Sequence, residues 1–298
     1  MRTDVLDHGY VEIVETWGSD ERIVEAARMS TGKGFLGWGS GAALDERRER
    51  FHSTTGAFGY TTEAGPTGAN SHPDRCKCQG DETTPHKHYT DPPHRCARCN
   101  ECSGYDPAVP GVGDEKLLRY LWENKHATPF EMAGMVIEAQ APIFVLREWF
   151  RHRTQSYNEM SARYVPLPDL NYVPTVERLL VNSKSNKQAG TVKGAEELTE
   201  ASAERFRAFL VASYEKAEQG YQEALKAGVP KELARIHLPV GRYSRMRASA
   251  NLRNWLGFLT LRLPSAAQWE IRQYANAVGE LVKENFPRTW ELFDEGRK

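Results

Sequence analysis

The stretch from Arg151 to Tyr164, Arg-His-Arg-Thr-Gln-Ser-Tyr-Asn-Glu-Met-Ser-Ala-Arg-Tyr, concentrates the chemically capable side chains of the chain. It sets Arg151, Arg153 and Arg163 among His152, Gln155, Ser156, Asn158, Glu159 and Ser161, between segments rich in core-forming residues. Guanidinium groups offer forked N–H donors to phosphate and stay charged in any surroundings. Neighbouring hydroxyl, amide and carboxylate groups suit a ribose or a base edge, and an apolar frame makes leaving them unpaired costly. The combination points to nucleotide recognition. The plain alternative is that Arg151 to Arg153 simply place positive charge at a helix C-terminus, where the macrodipole favours it.

The elements that must carry these residues follow from periodicity. Val5 to Trp17 alternates like one or two short strands around a Gly9 turn, and Asp20 caps a helix that presents Ile23, Val24, Ala26 and Ala27 and ends near Ser30, before Thr31-Gly32-Lys33-Gly34. Helical spacing resumes at Asp114 with Leu117, Leu118, Leu121 and Trp122. Met132 to Gln140 reads as a buried strand, and Pro142 suits the first turn of a helix carrying Ile143, Phe144, Leu146, Trp149 and Phe150 into Arg151-His152-Arg153. A polar loop over 182–194 precedes a long helix from Ala195 to Ala227, stopped by Gly228 and Pro230. A short helix over Pro230 to His237, a strand over Arg242 to Ser249 and helices over Asn251 to Leu261 and Ala267 to Val282 complete the chain. The expected fold class is α+β: a mixed or antiparallel sheet flanked by long helices, in a single core domain.

Composition narrows the function classes. The 298 residues carry 39 basic and 40 acidic side chains, a net charge of −1, so no global field draws nucleic acid or an anionic membrane. No stretch approaches the roughly 18 apolar residues of a membrane helix, and the N-terminus lacks a signal-like apolar core, so a cytoplasmic location is expected. All five cysteines, Cys76, Cys78, Cys96, Cys99 and Cys102, fall in one window, and a cysteine nucleophile elsewhere is ruled out. From Asp45 to Ala108 there is no Leu, Ile, Val or Met, so this segment has almost nothing to offset the entropy of ordering. Setting aside 33–113 as a cysteine- and histidine-rich insertion, residues 1–32 and 114–298 suffice for one compact domain.

Arg151-His152-Arg153, followed after seven residues by Ser161, resembles the Arg-His-Arg…Ser signature of flavin-dependent thymidylate synthases. Further blocks agree in order and spacing: Ala26 to Ser30, His126-Ala127-Thr128-Pro129-Phe130-Glu131, Ala234-Arg235 before Leu238-Pro239, Asn251-Leu252-Arg253, and Ala267 to Ile271. The resemblance implies conversion of dUMP to dTMP, with methylenetetrahydrofolate as carbon donor, FAD as hydride carrier and NADPH as its reductant, in a homotetramer whose sites draw on several subunits. It also implies no cysteine nucleophile, unlike the classical thymidylate synthases, and the thiol-free core independently agrees.

On the matching positions, Glu148, Arg151, Glu159, Met160, Ser161, Ala162, Arg163, Arg235 and Arg262 resemble dUMP contacts, with the phosphate at Ser161 and Arg163. Arg262 aligns with the arginine that assists ionisation of the uracil imide, which a permanently charged guanidinium suits. Ser161 and Arg262 are the expected catalytic pair. Ser30, His126, Thr128, Arg151, His152, Arg153, Glu159, Asn251, Leu252, Arg253 and Gly257 resemble flavin contacts. Two positions depart from the pattern: Glu148 stands where many members carry glutamine, and Gly257 where many carry asparagine. A carboxylate beside a phosphate repels it unless protonated or paired with an arginine. Trp149, Phe150, Trp255 and Trp269 read as core rather than as cofactor platforms.

In the insertion, Cys76-x-Cys78 and Cys96-x-x-Cys99 have spacings suited to tetrahedral zinc, with Cys102 or His94 as substitutes and His86 and His88 nearby. A competing account makes the chain a zinc-containing nucleic-acid-binding or interaction protein with an inactive core. The neutral net charge, the few basic runs and the retained Ser161, Arg163, Arg235 and Arg262 weigh against it. Metal analysis of freshly reduced protein is expected to find stoichiometric zinc, and its absence would favour an unstapled loop.

Overall fold

A computed structural model describes residues 1–38, 114–181, 190–192 and 194–297. The cysteine-rich segment, with Cys76, Cys78, His86, His88, His94, Cys96, Cys99 and Cys102, lies outside the described residues, as does most of the 182–194 loop. The chain forms two compact units, Gly18–Met132 and Met1–Trp17 with Ala133–Lys298.

In the first unit, α1 (Asp20–Arg28) is capped by Ser19, whose Oγ accepts the Arg22 N–H at 3.3 Å. The cap is therefore one residue earlier than expected, and Asp20 instead adds negative charge to the first turn, where the macrodipole welcomes it. Ile23 and Val24 are fully buried, as the spacing predicts. A 3-10 turn, Met29–Thr31, follows and ends on Gly32 at φ 67°. The second helix, α2 (Asp114–Glu123), buries Leu118 and Leu121. Its first residue, Asp114, has no exposed side-chain surface, yet its carboxylate takes the Arg28 guanidinium, with Nε at 2.9 Å, and the backbone N–H groups of Leu36 and Gly37 at 2.6 and 2.8 Å. Those partners are what make a buried carboxylate tolerable.

The second unit is built on a five-stranded sheet in the order β1-β2-β3-β5-β4, antiparallel throughout. Its strands are β1 (Arg2–Val5), β2 (Gly9–Trp17), β3 (Gly134–Pro142), β4 (Ser156–Glu159) and β5 (Tyr243–Asn251). Strand β3 alternates strictly: Met135, Ile137, Ala139 and Ala141 are fully buried, whereas Glu138 on the opposite face meets Arg245 and Arg247 of β5. Gly134 is required where β3 begins, since a Cβ there would lie 2.4 Å from the Trp17 side chain and 2.5 Å from the Ala250 carbonyl. Strand β4 lies within the polar stretch 151–164 and was not legible as a strand, because none of its four residues is aliphatic.

Seven helices are described in this unit: α3 (Ile143–Trp149), α4 (Val176–Leu180), α5 (Glu200–Lys226), α6 (Lys231–Ala234), α7 (Leu252–Arg262), α8 (Trp269–Asn285) and α9 (Pro287–Glu295). Helix α3 begins just after Pro142 as expected but stops at Trp149, so Arg151-His152-Arg153 occupies turns beyond it. Helix α5 starts at Glu200 rather than Ala195 because Thr199 caps it, its side chain accepting the Ser202 N–H at 3.2 Å. Helix α9, unforeseen from the sequence, buries Leu292 and Phe293. Trp149 and Trp255 are fully buried core residues, as expected, and Trp149 stacks on Phe258 with centroids 4.9 Å apart and planes at 18°. No helix among the described residues is long and apolar enough to cross a membrane.

Arg242 is a buried cation in this unit. It is 1% exposed and donates from Nη1 to Asp169 at 2.6 Å, and from Nη2 to Glu218 at 2.6 Å and to the Leu167 carbonyl at 3.3 Å. It thereby ties α5 and the 167–169 segment to the start of β5. Removing one partner of a buried charge strands the other at high cost. Glu218→Ala should lower stability in urea denaturation by about 3 kcal/mol. Asp169→Ala should cost less, since that carboxylate is 59% exposed and water can replace it.

Candidate active site

The structure brings Glu148, His152 and Arg262 into direct contact. Glu148 is the penultimate residue of α3, Arg262 the last of α7, and His152 sits in the turn after α3. The Arg262 Nε donates to His152 Nε2 at 2.9 Å, and its Nη1 donates to a Glu148 carboxylate oxygen in a direct ion pair. Because His152 Nε2 accepts, the proton of the neutral ring sits on Nδ1. Burial pushes the His152 pKa down to about 4, and the Arg262 charge adds to that shift. The imidazole is therefore uncharged across the neutral range. The pairing with Arg262 meets the condition under which a carboxylate at position 148 is compatible with an anion-binding site.

Tertiary packing holds this cluster. The His152 ring meets Phe258 edge-on at 4.9 Å, on the aromatic residue that also stacks with Trp149. The turn carrying Arg151, His152 and Arg153 is pinned from below by Tyr157, whose hydroxyl lies 2.8 Å from the His152 carbonyl and 3.1 Å from that of Trp149. Gln155, 6% exposed, accepts from Trp149 Nε1 at 3.1 Å and lies 3.2 Å from the Tyr157 hydroxyl. Tyr157 and Gln155 are positioning residues that spacing alone did not single out. Their signal was only that a tyrosine and a glutamine interrupt a cationic stretch.

A second cluster forms around Ser161. The Ser161 Oγ accepts the Arg163 N–H at 3.3 Å, and its carbonyl takes the N–H groups of Tyr164 and Val165, which closes a turn. Met160 N–H donates to the Arg245 carbonyl at 2.7 Å and so holds the turn against the sheet. Arg163 Nε reaches Glu232 at 3.1 Å, Arg235 Nε lies 3.4 Å from the Glu232 carbonyl, and Lys231 Nζ donates to the Tyr164 carbonyl at 2.8 Å. Arg163 and Arg235, expected together from the sequence, thus flank one acidic residue on α6. Lys231 and Glu232 were not foreseen as members. Among the described residues, no hydrogen bond or ion pair links this cluster to the Glu148–His152–Arg262 group.

The expected flavin contacts fare unevenly. Arg151 and Arg153 are exposed, with no side-chain partner among the described residues, which leaves both guanidinium groups available to a diphosphate. Gly257 is exposed on α7, and a Cβ there would meet nothing within 4 Å, so the helix surface is bare at that point. This donor set and open surface fit a flavin dinucleotide. Asn251 spends its Oδ1 on capping α7, accepting the Asn254 N–H at 3.0 Å. Leu252 is fully buried and its N–H donates to the Ala133 carbonyl at 2.7 Å, so its side chain packs in the core. Ala162 is likewise buried, at 3% exposure, and offers only its backbone. Glu159 ends β4 and is exposed, as is Arg253 on the first turn of α7. Ser30, His126 and Thr128 belong to the first unit, all exposed; Ser30 Oγ donates to the Ala27 carbonyl, and the His126 ring lies 5.6 Å from that of Tyr120. No cluster of metal-binding residues occurs among the described residues.

The His152 shift is open to measurement. A histidine whose folded pKa lies below its ordinary value opposes folding as pH falls from about 6.5 towards 4, where the unfolded chain binds the proton and the folded one does not. NMR of labelled histidine should show the His152 ring neutral at pH 6. In Arg262→Ala its midpoint should rise yet stay below the ordinary value, because burial is the larger cause. An unchanged midpoint in that variant would contradict the contact.

Residues 12–288 match the sequence model of the Thy1 family, thymidylate synthase complementing protein. A relative from Thermus thermophilus named flavin-dependent thymidylate synthase is 43% identical over 184 residues, which are 61% of this chain and 64% of the relative, so the chain spans less than two thirds of that relative's length. One of the same name from Kosmotoga olearia is 30% identical over 293 residues, 98% of this chain and 93% of its own. Among solved structures, a UMP/dUMP methylase, PolB, from Streptomyces cacaoi has a similar fold. Its complex with 5-Br UMP gives a TM-score of 0.63 at 24% identity over 98% of this chain and 96% of that one. Its complex with 5-Br dUMP gives 0.62 at 25% identity, over 98% and 97%. A family match over nearly the whole length, and a relative aligned almost end to end, lead to one conclusion: the chain belongs to the thymidylate synthase complementing protein family.

Proposed function

We propose that this chain methylates dUMP to dTMP, taking the carbon from methylenetetrahydrofolate and the reducing equivalents from NADPH through FAD. The observation that carries the reading is Arg262 held between His152 and Glu148, which leaves N–H groups of a permanent cation free for a developing anion. A guanidinium beside the uracil imide stabilises its ionised form and makes the ring carbon that receives the methyl group more nucleophilic. The neutral His152 supports this by accepting the Arg262 Nε–H without adding a competing charge. Ser161, Arg163 and Arg235 would take the nucleotide phosphate, with the Arg163 guanidinium exchanging Glu232 for it. Arg151 and Arg153 would meet the cofactor diphosphate. When bound, FAD supplies the hydride that completes the methyl group.

No hydrogen bond or ion pair among the described residues links the two clusters within the chain; in this reading the complete site joins the Arg262 group of one subunit to the Ser161 group of another in a homotetramer. The names of the relatives support both substrate and cofactor: flavin-dependent thymidylate synthase for the sequence relatives, and a UMP/dUMP methylase bound with 5-Br dUMP for a structural one. The cysteines lie only between Cys76 and Cys102, outside every element that carries these residues, which fits methylation without attack by sulfur. In this reading 1–32 and 114–298 form the catalytic core, and 33–113 is an insertion.

Purified protein should be yellow, with a flavin absorbance band, and should form dTMP from dUMP. Arg262→Ala should keep the band and lose dTMP formation by about 100-fold, the scale for removing one group that stabilises developing charge. A colourless protein that makes no dTMP when FAD is added, or an Arg262→Ala variant with an undiminished rate, would overturn the reading.

A further inference from the structure

Glu148 has a residue type that local helix physics disfavours. It lies in the last turn of α3, where unsatisfied carbonyl groups make a carboxylate unwelcome, yet its side chain is 24% exposed and turned onto Arg262, itself 18% exposed. A locally unfavourable charge kept in contact with a functional group is where a specific role is expected.

The guanidinium of Arg262 has five N–H groups in one plane. One, on Nε, is taken by His152 Nε2, and a second, on Nη1, by the Glu148 carboxylate. With only the first contact, an arginine at a helix end swings through many rotamers at little cost. Two acceptors reached from different edges fix the plane and leave the remaining three N–H groups pointing in a defined direction. The acceptors come from 110 and 114 residues earlier in the chain, so the brace exists only in the folded state.

We infer that Glu148 is a positioning residue which acts through Arg262, holding the guanidinium plane so that its free N–H edge meets the pyrimidine. This rests on the reading of Arg262 given above. Glu148 touches no reacting atom in this account. Its carboxylate also draws off part of the cation's field, so the hydrogen-bond acceptor, more than the negative charge, does the positioning. Glutamine at 148 keeps an acceptor of the same reach, whereas alanine keeps none, which separates the two contributions.

The test uses the full-length holoenzyme carrying Glu148→Ala, Glu148→Gln, Arg262→Ala and the double variant Glu148→Ala/Arg262→Ala, with dUMP as substrate. A group that only orients a charge felt in the transition state lowers kcat and leaves KM nearly unchanged. Glu148→Ala is expected to lose kcat by about 10- to 50-fold with KM for dUMP within about 3-fold, and Glu148→Gln to recover most of the loss. The double variant should be no slower than Arg262→Ala alone, because a residue acting through another has nothing left to act on. In ligand-free protein, the Arg262 Nε–H resonance is expected to be protected from solvent exchange in the parent, where it bonds His152, and to exchange faster in Glu148→Ala. Glu148→Leu, which keeps the volume, replaces alanine if the latter does not fold. Losses that multiply in the double variant, a kcat unchanged in both Glu148→Ala and Glu148→Leu, or a glutamine variant as slow as alanine would overturn the inference while leaving the role of Arg262 intact. A normal rate in Arg262→Ala would instead remove the reading on which it rests.

Discussion

The unbroken antiparallel ladder between β3 and β5 is the constraint on which the site depends. Its register sets Gly134 beside Asn251 and Pro142 beside Tyr243, so α3 and α7 leave the sheet from opposite ends. Each helix follows its strand without a connecting loop. The stacking of Trp149 on Phe258 then brings their C-terminal ends together, and that meeting is where Glu148, His152 and Arg262 make contact. A one-residue slip in this ladder would turn every side chain of the shifted strand to the other face and dissolve the arrangement.

The site is built from charges kept in partial shelter, and each has a named compensation. Arg262 is met by a carboxylate and by a neutral imidazole whose burial keeps it from competing. Arg242 and Asp114 show the same economy away from the site: both are almost wholly buried, and both make several charge-assisted hydrogen bonds. Arg151 and Arg153 differ, since both project outward with no partner among the described residues.

Helix α5 shows where single-sequence reading and structure part. Its existence and its stop before Gly228 were legible from the sequence, with that glycine at φ 82°, but its start was not, because the Thr199 cap sets it at Glu200 rather than Ala195. Which face it buries was not, for only Ala203 and Tyr221 are buried, while Phe206 and Phe209 are exposed. Strand β4 failed for the opposite reason: it pairs through its backbone with β5, and backbone pairing leaves no mark on a polar sequence. The Ser19 cap was missed by one residue, because serine and aspartate compete at that position on nearly equal terms.

The sequence by itself determined most of the elements, though not β4 or α9, and named most of the candidate residues, because periods of 2 and 3.6 and the requirements of caps and turns are local. It also determined that arginine, serine and amide groups crowd one stretch, and that no thiol lies outside another. Only the tertiary structure decided which of these residues meet. It placed Glu148 on Arg262, gave His152 its neutral state, enlisted Tyr157 and Gln155 as supports, withdrew Leu252 into the core and divided the candidates into two clusters. The reason is physical: a hydrogen bond between residues more than a hundred positions apart depends on packing between elements, and a pKa on how much water that packing removes, and neither quantity is written in local spacing.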